Sequence, residues 1–150
     1  MEKMLIKKLL LLFLLIPSLS WGKMISLEQY RTENPNFTDS DLFYVSSRCG
    51  AFFNMISEFI VTDEKQKKIL NAMSEVLITF SGMMIKKDYK DYTKEQMDSV
   101  VLETVIMFEQ AYASDMSENY INTGKHMTDE LAYEYQICNS VYQDIAESFQ

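Results

Sequence analysis

A pair of cysteines, a lone histidine, an arginine set in a nearly charge-free run and a scatter of methionines are the residues of this 150-residue chain whose types could carry chemistry. Cys49 and Cys138 stand 89 positions apart. Thiol catalysis or redox switching calls for a close pair such as Cys-x-x-Cys, an activating base and exposure, and none of these is written around either cysteine. His126 is the sole histidine. A catalytic triad would have to be built around it, yet no serine stands in a nucleophile-elbow context, and Gly124-Lys125-His126 reads as a solvated turn. Metal chemistry is equally unsupported, because the chain has no Glu-x-x-His pair, no second histidine and no ligand-spaced cysteines. Exported methionines can bind copper(I), which brings Met83, Met84, Met107, Met116 and Met127 into view. Most of them lie on apolar stripes, where a thioether fills gaps in a core. No catalytic residue, metal or cofactor is therefore expected.

Arg48 is the residue that asks most of its surroundings. It follows Tyr44 by one turn, adjoins Cys49 and has few charges nearby. Buried, its guanidinium requires a carboxylate or carbonyl, and the pair would fix register or hold an anionic ligand; otherwise the side chain snorkels to water. The run Lys86-Lys87-Asp88-Tyr89-Lys90-Asp91-Tyr92 interleaves rings and bases as single-strand nucleic-acid platforms do. Its two aspartates, in a chain of net charge −8, read instead as a solvated turn.

The elements that position these residues begin after a leader. Lys3, Lys7 and Lys8 precede an apolar run from Leu9 to Ile16, Pro17 ends the run, and Ser20 and Gly22 supply small side chains for a signal peptidase. Residues 1–22 are read as a signal peptide cleaved between Gly22 and Lys23, the run being too short to span a bilayer, which takes about 20 apolar residues. What remains carries 11 basic and 21 acidic residues. Such a charge disfavours nucleic acid and anionic lipid, and the cleaved leader implies a secreted or periplasmic protein with no membrane attachment after cleavage. Residues 23–37 are read as an extended segment with a turn at Asn34-Pro35-Asn36, and Asn36-Phe37-Thr38 spells a glycosylation acceptor.

Residues 38–150 are read as one all-α domain, an up-down-up-down four-helix bundle. Apolar residues recur at helical spacing in four stretches: Leu42 to Phe59, Ile69 to Met84, Met97 to Ala111 and Leu131 to Phe149. An apolar residue followed by threonine precedes each: Phe37-Thr38, Val61-Thr62, Tyr92-Thr93 and Met127-Thr128. The hydroxyls can cap the first turns, with capping-box spacing from Thr38 to Asp41 and from Thr93 to Gln96, and Gly124 supplies a stop. Cys49 and Cys138 each fall mid-height on the first and last of these helices, so an inter-helix disulfide is predicted, with Gly50 and Ala51 permitting the close approach. The third helix, 94–123, would reach about 45 Å and must overhang or break. Tyr112, Met116, Tyr120 and Ile121 lie past the end of its regular stripe and form a candidate interaction surface, or else cover the end of the bundle or pack on the segment 23–37.

The functional expectation is a non-catalytic, exported protein-binding module of the inhibitor or stress type whose partner is another exported protein. A carrier of an apolar small molecule is the alternative, with Phe52, Phe80, Met83 and Phe108 lining its cavity. A cleft joining Arg48, a carboxylate and His126 would point to an enzyme.

Overall fold

The computed structural model describes residues 24–149, so the predicted leader lies outside the described residues. Five helices follow in order: α1 (Leu27–Glu33), α2 (Asp39–Phe59), α3 (Glu64–Asp88), α4 (Lys94–Thr123) and α5 (Asp129–Ser148). No strand occurs among the described residues. The all-helical class and the disulfide agree with expectation; the count of four helices does not. The stretch read as extended contains α1, which Ser26 caps by accepting a hydrogen bond from the Gln29 amide.

The caps mostly fall where the sequence puts them. Thr38, Thr93 and Thr128 accept bonds from the amides of Asp41, Gln96 and Leu131, and both capping boxes close, Asp41 and Gln96 each reaching back to the cap amide. In α3 the cap is Asp63 and not Thr62, its carboxylate taking the Gln66 amide at 2.8 Å. Gly124 ends α4 with φ at 74°, a left-handed conformation that costs a glycine nothing.

Helix directions alternate from α2 to α5, but the packing is not that of a square bundle. Every residue of α2 from Val45 to Phe53 is buried. A helix covered on all sides is a central one, and α2 packs against α3, α4 and α5 together. It runs parallel to α4, with which it would be diagonal in a square bundle, and the two meet directly through Tyr44 on Phe108 and Phe52 on Tyr112. The interdigitation with α3 is the closest. Gly50 leaves room for Ile78, whose Cγ1 would lie 2.7 Å from a Cβ there, and the Ser74 hydroxyl donates to the Gly50 carbonyl at 2.8 Å. Gly50 therefore serves the approach of α3, not that of α5 as the sequence suggested. By length and composition α3 could cross a membrane, yet Leu70, Met73, Leu77, Met84 and Ile85 are buried against its neighbours.

The 30 residues of α4 form one unbroken helix. Its inward stripe is Val101, Val105, Phe108, Tyr112 and Met116, spaced four, three, four and four. Met107, expected in that stripe, faces outward.

Candidate functional site

The α2–α5 seam carries the densest polar chemistry in the described residues. Cys49 and Cys138 are joined, with their Cα atoms 5.2 Å apart. Closing a loop of that length removes enough unfolded-chain freedom to stabilise by roughly 4 to 5 kcal/mol in the chain-entropy account. One residue before Cys49 and one turn before Cys138, Arg48 and Glu134 meet as an ion pair, Nη2 to Oε1 at 2.8 Å, with both residues at least 97 % buried. Arg48 Nε donates to the Tyr112 hydroxyl at 2.9 Å and to Glu134 Oε1 at 3.0 Å. Nη2 donates to Glu134 Oε2 at 3.1 Å, and Nη1 donates to the Ile25 carbonyl at 2.7 Å and to the Tyr44 hydroxyl at 3.1 Å. The Tyr112 hydroxyl closes the network by donating to Glu134.

This arrangement answers the question Arg48 posed. Every nitrogen of its planar fork has a protein partner, so the guanidinium binds the fold together. Burial opposes its charge, but Tyr112 and Glu134 outweigh burial and hold its pKa above the ordinary arginine value. Burial first, and the Glu134 carboxylate second, push the Tyr112 hydroxyl well above its ordinary value, so Tyr112 stays a proton donor. Glu134 and Tyr112 were not foreseen as partners. The available signal was the demand for a carboxylate, and Glu134 sits four residues before the bonded Cys138, on the face that meets α2.

A second polar joint ties α1 to the start of α2. The Tyr30 hydroxyl donates to Asp41 Oδ1 at 2.6 Å, while Asp41 Oδ2 takes the Thr38 amide and hydroxyl at 2.8 and 2.6 Å. The Thr38 hydroxyl, then the Tyr30 hydroxyl, hold the Asp41 carboxyl below its usual range.

The four residues offered as one contact surface divide. Tyr112 and Met116 turn inward and are 1 % and 0 % exposed, whereas Tyr120 and Ile121 are 52 % and 82 % exposed. The aromatic surface before Tyr120 is consumed by the core and by the Arg48 network. His126 does not approach Arg48. It stacks on Tyr120 with ring centroids 4.4 Å apart, meets Phe59 edge-on at 5.8 Å, and its Nδ1 lies 3.3 Å from the Met116 carbonyl.

The residues named for an internal carrier cavity also separate. Phe52 and Phe108 are buried in the core, Phe80 lines a groove beside Val45 and Ile145, and Met83 lines another between α3 and α4. Of the methionines named for copper, Met84 and Met116 are buried, Met127 is half-buried, and Met83 and Met107 are exposed. Among the described residues no group of three or more His, Cys, Asp or Glu side chains is placed to hold a metal ion. Asn36 is exposed between α1 and α2.

The α3–α4 groove has a volume of about 590 Å³, with an apolar floor that includes Ile78, Met83, Val101 and Val105. Lys86 and Lys94 stand at the end nearer the α3–α4 turn. The chain matches no known family model, no curated protein and no solved structure.

Proposed function

We propose that this is an exported, disulfide-stapled helical protein that acts without catalysis, by contacting another exported protein through the end of α4. The observation that carries the reading is Ile121, an aliphatic side chain 82 % exposed beside a tyrosine already fixed in place. Tyr120 is stacked on His126, and His126 is braced by Phe59 and lies beside the Met116 carbonyl. A projecting ring that is ordered before contact loses little freedom on binding, and such rings concentrate binding energy. Asp115, Glu118 and Glu130 line a groove next to the turn, so the partner's rim would be basic. The disulfide fits an oxidising compartment. The partners on each nitrogen of Arg48 support a structural and not a catalytic role for the buried Arg48–Glu134–Tyr112 cluster.

The test is capture from the exported compartment with the oxidised protein as bait, alongside an Ile121→Asp variant whose helical spectrum is unchanged. Wild type should retain a protein that the variant loses. Equal retention by both overturns this surface, and recovery of a lipid with no protein favours the carrier instead.

A further inference from the structure

The N-terminal segment that carries α1 closes the outer edge of the Arg48 network, and little besides that docking holds it in place. Seven residues make fewer than two turns, too few for a helix to stand alone in water, and Leu27 is the one of them that is buried. The seam with α5 carries like charge on its two sides, since Glu28 and Glu130 line one groove there. What fixes the segment is a set of contacts from residue 25 to residue 30. The Ile25 carbonyl accepts from Arg48 Nη1 at 2.7 Å, and the Leu27 side chain is fully enclosed. The Tyr30 ring stacks on Tyr44 with centroids 4.2 Å apart, while its hydroxyl donates to Asp41. A carbonyl, an aliphatic side chain two residues on and a tyrosine three beyond that thus meet three matching features of the bundle: a guanidinium edge, an enclosed slot, and a tyrosine face beside a carboxylate.

The charge of the site selects what can lie there. Glu134 already neutralises Arg48, so the Nη1 edge takes neutral oxygens, the Ile25 carbonyl and the Tyr44 hydroxyl. A carboxylate in their place would set a second negative charge beside Glu134 in a site without water. The slot therefore suits a peptide backbone and not a free anion. We infer that it is a peptide-docking site, which the N-terminal segment of this chain fills in cis and the same segment of a second copy fills in trans, by exchange of α1 between two molecules. Exchange keeps every contact, because each copy vacates one slot and fills another. The link from α1 to α2 is five residues, 34–38, and Pro35 keeps Asn34 out of helical geometry, so the link is predisposed to extend. A peptide from any other protein lacks this advantage, since it must displace a tethered segment whose effective concentration is of order mM.

Two measurements on the oxidised protein test the inference. A synthetic peptide spanning residues 23–34 should bind saturably to the Leu27→Asp protein, whose own segment leaves the slot, and at least roughly tenfold more weakly to wild type, whose slot is filled. The same peptide carrying Leu27→Asp should bind neither. An unchanged helical spectrum shows that the variant is folded, and Leu27→Ala serves in its place where it is not. Removing Pro35 and Asn36 takes about 7 Å from the reach of the link, so α1 no longer closes on its own chain. Sedimentation over a concentration series should then give a dimer with a dissociation constant at least roughly tenfold below that of wild type, and adding Leu27→Asp should return it to monomer. A peptide that fails to bind the folded variant overturns the docking site. A shortened chain that stays monomeric, or a dimer indifferent to Leu27→Asp, overturns the exchange. Neither change alters Tyr120 or Ile121, so partner capture through the end of α4 should persist, and the two readings stand or fall separately.

Discussion

Along its seam with α3, helix α2 presents a glycine and closes on Ile78 mainly by shape, with one hydrogen bond from Ser74; along its seam with α5 it presents Cys49 and Arg48 and closes by a disulfide and an ion pair. The first seam gains from many weak contacts that depend on how near two backbones lie. It tolerates loss of any single atom but not the addition of one. The second depends on the identity of a few partners in a place without water, where a charge left alone is far more costly than a missing methyl. The same central helix is thus fitted on one side and fastened on the other.

The sharpest way to break this contrast is Glu134→Ala. Stranding the Arg48 guanidinium with both residues buried should cost about 3 to 5 kcal/mol, read as a lower urea midpoint. Replacing both partners, Arg48→Met with Glu134→Leu, should recover most of that loss, because apolar groups of similar volume leave no charge to satisfy. A cost below about 1 kcal/mol for Glu134→Ala would place the pair with ordinary surface ion pairs and remove the distinction between the seams.

On the fitted seam the informative change is an addition. Gly50→Ala gains about 1 kcal/mol of helix propensity but forces its Cβ against Ile78 Cγ1 and the Ser74 carbonyl, an overpacking cost of about 1 to 3 kcal/mol. The net outcome should be a loss of about 1 kcal/mol. Ile78→Ala removes the opposing atom, so the two changes together should be less destabilising than their sum, a coupling that a double-mutant cycle measures. Strict additivity would show that α3 is not seated on Gly50.

The smallest expected effect concerns the joint between α1 and α2. Asp41 has a folded pKa below its unfolded value of about 3.9, so its contribution is complete above that pH and is lost as the pH falls through the lower folded value. Asp41→Asn should flatten that part of the acid limb of a stability profile and cost about 1 kcal/mol at neutral pH, as other cap losses do. An unchanged acid limb would mean that Tyr30 and Thr38 do not favour the ionised carboxylate.

Features set by neighbouring residues could be read from the chain. Thr38, Thr93 and Thr128 cap because a hydroxyl need only reach an amide within its own first turn, and Gly124 stops α4 for an equally local reason. The disulfide was legible because only two cysteines exist and both sit mid-height on apolar stripes. Helix α1 was missed because it is seven residues long and buries one of them, Leu27, so its existence depends on what it lies against. The central place of α2 was written faintly. From Val45 to Phe53 small or apolar residues occupy every face, with Arg48 the single charge, but a search for one stripe registers only Val45, Cys49, Phe52 and Phe53. Two of the partners of Arg48, Tyr112 and Glu134, lie 64 and 86 residues away, and only its place four residues before Cys138 distinguishes Glu134 from the other acids of α5.

The bond between Cys49 and Cys138 has a consequence for biogenesis. With two thiols in the whole chain, oxidation within one molecule has a single possible product. Maturation of this protein would call for a donor of oxidising equivalents but no reshuffling enzyme, and the erroneous pairings left open are those between molecules, which dilution suppresses.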